Sequence, residues 1–268
     1  METRDFIIKE IEKRKVIQLA LDAGNTQLSN GAEIWRVEET ISHICRAYHV
    51  EDVDAFILSN AIFITGNNEE EVLFAKVKHI PISGVHLGII TDVNDLSREI
   101  SAGMWSVEEA SKKLETIRNQ PPKNQIYRGV ASGIASGCFC CILGAGMKEC
   151  FLTVIIAFIV LMFAMTLEKH HVAKMVKNIL GGGLIAFLAI AATYVPSFAG
   201  ASVDKIIIGS IMPLIPGVAF VNSIRDLANS DFISGTVRIL DTIMVFMYIA
   251  IGAGSVLSLY HGFLGGAL

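Results

Sequence analysis

The stretch FLTVIIAFIVLMFAMTL, residues Phe151 to Leu167, decides the class of this protein. Eleven of its residues are Ile, Val, Leu or Phe, and it contains no Asp, Glu, Lys or Arg. At roughly −0.3 to −0.6 kcal/mol each on a membrane-insertion scale, these side chains favour the bilayer by about 3–7 kcal/mol. An α-helix rises about 1.5 Å per residue, so about 20 residues cross a hydrocarbon core about 30 Å thick. The stretch is therefore predicted to be a transmembrane helix.

Four more uncharged runs surround this helix. They lie between Arg128 and Lys148 (19 residues), between Lys177 and Asp204 (26), between Lys205 and Arg225 (19), and after Asp241 (27). Five such runs in about 140 residues are too many for the buried helices of a small soluble domain. We therefore expect a membrane domain over residues 125–268, with five transmembrane helices at about 128–146, 150–167, 179–199, 206–224 and 238–264.

The first half of the chain has a different composition. Residues 1–128 contain 15 Lys and Arg and 20 Asp and Glu, whereas residues 129–268 contain 7 and 6. The N-terminal residues are too charged for a signal peptide, so we expect this half to stay in the cytoplasm. Its acidic balance argues against nucleic acid as a partner, which would need a basic patch.

Residues 1–124 are predicted to form a cytoplasmic α+β domain. Amphipathic patterns predict helices over 5–23 and 31–48, and again over 91–103 and 106–118. Between them, residues 53–65 and 71–80 are rich in β-branched and aromatic residues and predict three strands. The predicted fold class is a membrane protein, with this domain followed by an α-helical bundle of five transmembrane helices.

Lys and Arg residues set the expected orientation. They are concentrated before the first predicted span, between the second and third, and between the fourth and fifth. Because such residues are enriched in cytoplasmic loops, the N-terminus should lie inside and the C-terminus outside. We expect a multi-pass protein of a cell membrane, with its N-terminal domain in the cytoplasm.

The first predicted span carries small residues at helical spacing. Gly129, Gly133 and Gly137 recur every four residues, which predicts close approach of another helix. The same span contains three of the five cysteines, Cys138, Cys140 and Cys141. Their spacing lacks a second ligand pair for a metal, and a membrane setting disfavours a disulfide framework, so we expect apolar packing. We predict no metal and no cofactor.

The fourth span contains a predicted helix break. Pro213, Pro216 and Gly217 lie in its middle, and proline both removes a helix donor and clashes with the preceding turn. Within a membrane, such a break persists only where protein or a water-filled cavity satisfies the freed groups, as in the broken helices of many transporters. The alternative interpretation is a simple kink.

Polar residues after this break are candidates for the transport site. Asn222, Arg225 and Asp226 fall on one face of a helix starting at Gly217, where an amide, a guanidinium and a carboxylate suit a carboxylate-bearing solute. Alternatively, Arg225 and Asp226 mark the inner membrane interface. Asp241 is either a proton carrier for transport or an ordinary carboxylate at a helix start.

The cytoplasmic domain offers a second group of candidates. Arg36, Glu38 and Glu39 follow Glu33 on the second helix, where they form either a gate for substrate or a solvated helix face. We recognise no phosphate-binding loop and no nucleophile elbow in this half, which argues against an ATPase and against the commonest hydrolases.

Three segments in this order resemble the threonine/serine exporter family. They are Gly31-Ala-Glu-x-x-Arg36-x-Glu38-Glu39, the small-residue helix 128–146, and Pro216-Gly217 followed by Asn222, Arg225-Asp226 and Ser234-Gly235. The resemblance implies a cytoplasmic α+β domain followed by membrane helices. It also implies secondary active export of threonine and serine, or of a dicarboxylate such as succinate, from a bacterial cytoplasm.

Some members of that family carry a second membrane unit, whereas others are split into two proteins. The chain resembles the larger component of a split pair, which implies a small membrane subunit as partner. Five helices make a thin pathway, so we expect an oligomer. Two other functions stay open at this point: a membrane-tethered hydrolase, or a ligand sensor acting through the cytoplasmic domain.

Overall fold

The computed structural model describes residues 2–50, 53–68, 71–80, 85–121 and 123–264, and the side chains of these residues except 2–10, 66–76 and 264. The chain divides into two compact units. The first consists of Met1–Pro121 and Gly217–Leu240, and the second of Pro122–Pro216 and Asp241–Leu268.

The N-terminal part of the first unit has the predicted order of helices and strands. Two helices are followed by three strands and two more helices: α1 (Glu2–Ser29), α2 (Ile34–Ala47), β1 (Val53–Leu58), β2 (Ala61–Asn68), β3 (Glu71–His79), α3 (Leu87–Ser101) and α4 (Val107–Arg118). The strands form an antiparallel sheet in the order β1-β2-β3, with Ile57 opposite Ile62. The capping box of α4 is present, since Ser106 accepts a hydrogen bond from the Glu109 N–H and Glu109 accepts one from the Ser106 N–H.

The core of this unit lies among the four helices and the inner face of the sheet. Helical spacing places apolar residues on one side of α2, α3 and α4, whereas residues 16–28 of α1 are buried on nearly all sides. Alternation places apolar residues of the strands on the inner face of the sheet. Fully buried members include Leu21, Val37, Ile41, Ile44, Ile62, Ile64, Val93 and Ile100. Burial raises the pKa of the Cys45 thiol to about 12, so it packs as a neutral, small apolar side chain.

Six α-helices follow among the described residues of the second half. They are α5 (Gln125–Ile142), α6 (Met147–Lys169), α7 (Lys174–Thr193), α8 (Val203–Ile211), α9 (Gly217–Ala228) and α10 (Phe232–Leu264). Among the described residues, three helices are long and apolar enough to cross a membrane: α6, α7 and α10. A fourth is counted if α8 and α9 form one broken span. The predicted total of five therefore stays a prediction, since α5 is not in this set.

The helices of the second unit approach one another closely at glycines. A Cβ on Gly133 would lie 2.6 Å from the carbonyl oxygen of Val154 in α6, and Gly137 faces the same residue. The close approach predicted for this face of α5 is thus confirmed. On α10, a Cβ at Gly252 would overlap the carbonyl oxygen of Ile179 in α7. Small residues let apolar helices come this near, which increases their van der Waals contact.

The prediction that the cysteines are all unpaired was wrong for Cys141 and Cys150. They form a disulfide with their Cα atoms 5.9 Å apart. The cause is the short turn between α5 and α6, which brings the last turn of one helix beside the first turn of the next. Cys140 is buried, and its thiol donates a hydrogen bond to the Lys205 carbonyl.

The chain leaves helical geometry at the prolines of the fourth predicted span. After α8 ends at Ile211, Met212–Leu214 form one 3₁₀ turn that contains Pro213. Ile215 is extended, with φ −71° and ψ 122°, and α9 then begins at Gly217. Extended backbone is the conformation preferred before proline, here Pro216. The role of this break in transport stays a prediction.

The two units divide the chain differently from the predicted boundary between residues 124 and 125. Residues 217–240, which include α9 and the start of α10, group with the N-terminal unit rather than with the other membrane helices. The physical reason is a set of polar contacts between this segment and residues 31–33, described below.

The close contact between α7 and α10 predicts a position-specific effect of a single methyl group. Gly252→Ala should lower the free energy of unfolding by about 1–3 kcal/mol, because a Cβ there meets backbone that cannot move aside. Gly254→Ala on the same helix is the control, since a Cβ there would have no neighbour within 4 Å. Thermal unfolding of the purified protein measures the difference, and equal midpoints for the two variants would contradict the packing.

Candidate functional site

Three residues of the N-terminal part, 31–33, contact the segment 222–238, which runs from α9 into α10. The contacting residues are about 190 to 206 positions apart in the chain. Asn222 donates a hydrogen bond from Nδ2 to the Gly31 carbonyl, with a length of 3.0 Å. Arg225 forms an ion pair with Glu33. Arg238 donates to the Ala32 carbonyl over 3.1 Å. Three consecutive residues of the N-terminal part are therefore each contacted by a polar side chain from the segment.

The loop that presents residues 31–33 is shaped by the end of α1. The Gly31 N–H donates to the Leu28 carbonyl and the Ala32 N–H to the Gln27 carbonyl, which is a Schellman motif. Gly31 has φ +86°, a conformation that favours glycine, and a Cβ there would lie 2.9 Å from Val85 Cγ2. The carbonyls of this loop are consequently held in place.

The turn between α9 and α10 is also a Schellman motif. Ser230 has φ +67°, its N–H donates to the Leu227 carbonyl, and the Asp231 N–H donates to the Asp226 carbonyl. Asp231 then begins α10, since its Oδ1 accepts a hydrogen bond from the Ser234 N–H. Gly235 permits the close approach of the two helices, because a Cβ there would lie 2.9 Å from the Leu227 nitrogen.

This tight turn places Arg238 beside Asp226. Their ion pair has an N–O distance of 3.0 Å, and their side chains are 11 % and 1 % exposed. The Glu33 side chain is similarly buried, at 7 %, whereas its partner Arg225 is 59 % exposed. We call Glu33, Arg225, Asp226 and Arg238 the ion-pair cluster. It has two carboxylates and two guanidinium groups, and Arg225 is its accessible member.

The cytoplasmic-domain candidates divide into two kinds. Arg36 reaches the cluster, since its Nη2 lies 3.5 Å from Glu33 Oε2, and its guanidinium lies 5.1 Å from the centroid of the Trp35 ring. Glu38 and Glu39 are exposed on α2, and Glu39 lies 3.9 Å from His43. The structure therefore joins Arg36, but not Glu38 or Glu39, to Asn222, Arg225 and Asp226.

Asp241 belongs to the second unit, whereas the ion-pair cluster belongs to the first. It is well inside α10, which begins at Phe232, and not at a helix start as one interpretation expected. Both of its carboxylate oxygens accept hydrogen bonds from Lys174 Nζ, at 2.8 and 2.7 Å. The pair is about half exposed, as in an ordinary surface ion pair, and a proton-carrier role for Asp241 stays a prediction.

Sequence reasoning missed the roles of Glu33 and Arg238. Glu33 was recognised only as part of a charged helix face, and Arg238 only as a residue that sets orientation. Arg238 was overlooked because the fifth helix was predicted to start at about residue 238, when in fact it begins at Phe232. The pattern Asp231-x-x-Ser234, a helix-start signal, would have placed Arg238 two turns into the helix.

Comparisons with known proteins bear on this site. The family model ThrE, described as "Putative threonine/serine exporter", matches residues 18–260. The chain belongs to the threonine/serine exporter family. This is a family of transporters, and together with the apolar helices it indicates a membrane location. The match includes every member of the ion-pair cluster.

Curated relatives in this exporter family carry two kinds of name. The chain is 21 % identical over 228 residues to "Probable succinate transporter subunit YjjP" of Escherichia coli, covering 85 % of this chain and 88 % of that protein. It is 23 % identical over 244 residues to "Threonine/serine exporter" of Corynebacterium glutamicum, covering 89 % of this chain but 50 % of that protein. A Mycobacterium tuberculosis relative, "Probable threonine/serine exporter", is 20 % identical, with 91 % and 46 % covered. No solved structure matches the chain.

The buried pair in the cluster predicts a strong energetic coupling. Arg238→Gln and Asp226→Asn should each destabilise the fold by about 3–5 kcal/mol, because either change leaves one charge buried without its partner. The double variant should lose less than the sum of the two, since neither charge remains. Thermal unfolding of the four proteins measures this coupling, and strictly additive losses would show that the two side chains do not pair.

Proposed function

We propose that the protein is a subunit of an exporter that moves small carboxylate-bearing solutes out of the bacterial cytoplasm. Membership of the exporter family supports the direction and type of transport. The names of the relatives support two solute classes, threonine and serine or the dicarboxylate succinate. Both classes share the carboxylate group.

The observation that carries this proposal is the accessible Arg225 of the ion-pair cluster. A guanidinium group binds carboxylates with two parallel hydrogen bonds, and an exposed one is open to a solute. Asn222, one turn earlier on α9, and Asp226 beside it are buried, and they bond to the Gly31 carbonyl and to Arg238. We therefore propose that these two predicted solute ligands hold Arg225 in position. Pro213, Pro216 and Gly217 would shape the break that begins this helix.

The proposed arrangement has residues 1–124 in the cytoplasm and residues 125–268 in the inner membrane, with five spans and the C-terminus outside. The distribution of Lys and Arg supports this orientation. We further propose a small second membrane subunit as partner, since the relatives that match over 88 % and 87 % of their length are named as subunits. An ion or potential gradient would drive export, because the sequence shows no phosphate-binding loop.

Efflux assays test the proposal through Arg225. Cells preloaded with labelled threonine, serine or succinate should export one of these when they express the chain with its small partner. Arg225→Gln should reduce that efflux by about tenfold or more, because the solute carboxylate loses two charge-assisted hydrogen bonds from the guanidinium group. Membrane insertion should be unchanged.

The control is Arg118→Gln, which removes the same charge from an exposed position in the last turn of α4. It should export at the wild-type rate. Normal efflux by Arg225→Gln at equal membrane abundance would refute the role of Arg225. Absence of efflux of all three solutes by the wild-type pair would refute the assigned solute class.

A further inference from the structure

Glu33 is one carboxylate shared between two arginines. Its Oε1 pairs with Arg225, and its Oε2 lies 3.5 Å from Arg36 Nη2. Glu33 is 7 % exposed, whereas the side chains of Arg36 and Arg225 are 36 % and 59 % exposed. The two cations therefore face solvent while the anion between them is buried. Together the three groups carry one net positive charge.

The Glu33 side chain is not used by the helix that it begins. Glu33 is the N-cap residue of α2, a position where an acidic side chain ordinarily accepts a hydrogen bond from the first helical turn. The structure shows no such side-chain bond at this cap, because the carboxylate turns toward the arginines. It can consequently leave Arg225 and Arg36 without breaking a capping interaction of α2.

The backbone just before Glu33 is held by other contacts. Asn222 bonds to the Gly31 carbonyl, Arg238 bonds to the Ala32 carbonyl, and the Schellman motif fixes the loop to α1. A rotation of the Glu33 side chain would leave these bonds intact. The two arginines can thus exchange one carboxylate for another while the fold stays the same.

We propose that Glu33 is a tethered competitor for the carboxylate of the solute. Without solute, the Glu33 carboxylate pairs with Arg225 and Arg36. It is displaced when a solute carboxylate binds these arginines instead. The inference rests on the proposed function, and it adds a specific regulator to that site. The backbone holds the Glu33 carboxylate near the two arginines at a millimolar effective concentration. The solute therefore binds weakly until its own concentration is also millimolar.

Removing the charge of Glu33 tests this competition directly. Trp35 reports on the site because the Arg36 guanidinium lies over its ring, and the chain has two tryptophans, so Trp105→Phe leaves Trp35 as the single reporter. In that background, the purified full chain is titrated with succinate and separately with threonine while Trp35 fluorescence is recorded. Glu33→Gln should lower the dissociation constant for at least one of them by about two- to fivefold.

Glu115→Gln is the matched control, since it makes the same change at an exposed position on α4 and should leave the dissociation constant unchanged. Equal or weaker binding by Glu33→Gln would overturn the inference. An absence of saturable fluorescence change in every variant would overturn it as well, because no carboxylate would then displace Glu33.

Efflux measurements separate this inference from the proposed function. Wild-type efflux with an unchanged half-saturating solute concentration in Glu33→Gln would refute the competition and leave the exporter function intact. Tighter binding by Glu33→Gln without efflux by any variant would support the competition and refute export of these solutes.

Discussion

The buried ion pair between Asp226 and Arg238 is the constraint on which the candidate site depends. Two charges removed from water are costly unless each is paired and hydrogen-bonded, and here Arg238 contacts both Asp226 and the Ala32 carbonyl. The pair therefore ties the α9–α10 turn to the loop after α1. Arg225 and Asn222 project from the same helix, so they are brought to Glu33 and Gly31 by the same attachment.

Backbone geometry makes this attachment possible. Both participating turns are Schellman motifs, one with glycine and one with serine at the left-handed position. Each turn reverses the chain within a few residues and leaves carbonyls or side chains pointing at the other segment. In the second unit, glycines take a different role, since they let α5 approach α6 and α7 approach α10. The chain thus uses glycine in the turn after α1 and also for close helix packing, at Gly235 beside the site and in the second unit.

The sequence predicted well what depends on local composition. Long apolar runs identified α6 and α7, β-branched and aromatic residues identified the strands, and amphipathic patterns identified the helices α1 to α4. It predicted less well what depends on contacts between distant residues. The N-terminal boundary of α10 was placed near residue 238 because charges were taken to mark the membrane edge, although Arg238 is paired by tertiary contact. The disulfide between Cys141 and Cys150 and the sharing of Glu33 by two arginines arise from proximity that no local pattern encodes.

The proximity of residue 33 to residue 225 is the claim on which the site and both proposals rest. It is measured most directly by cross-linking in native membranes, with Glu33→Cys and Arg225→Cys introduced after the five native cysteines are replaced by serine. A short reagent that joins two thiols should link these positions, and proteolysis with mass spectrometry should recover the joined peptides. The pair Glu115→Cys with Arg225→Cys should give no such product. Linkage absent from the first pair, with both thiols shown to be reactive, would contradict the contact and the account built on it.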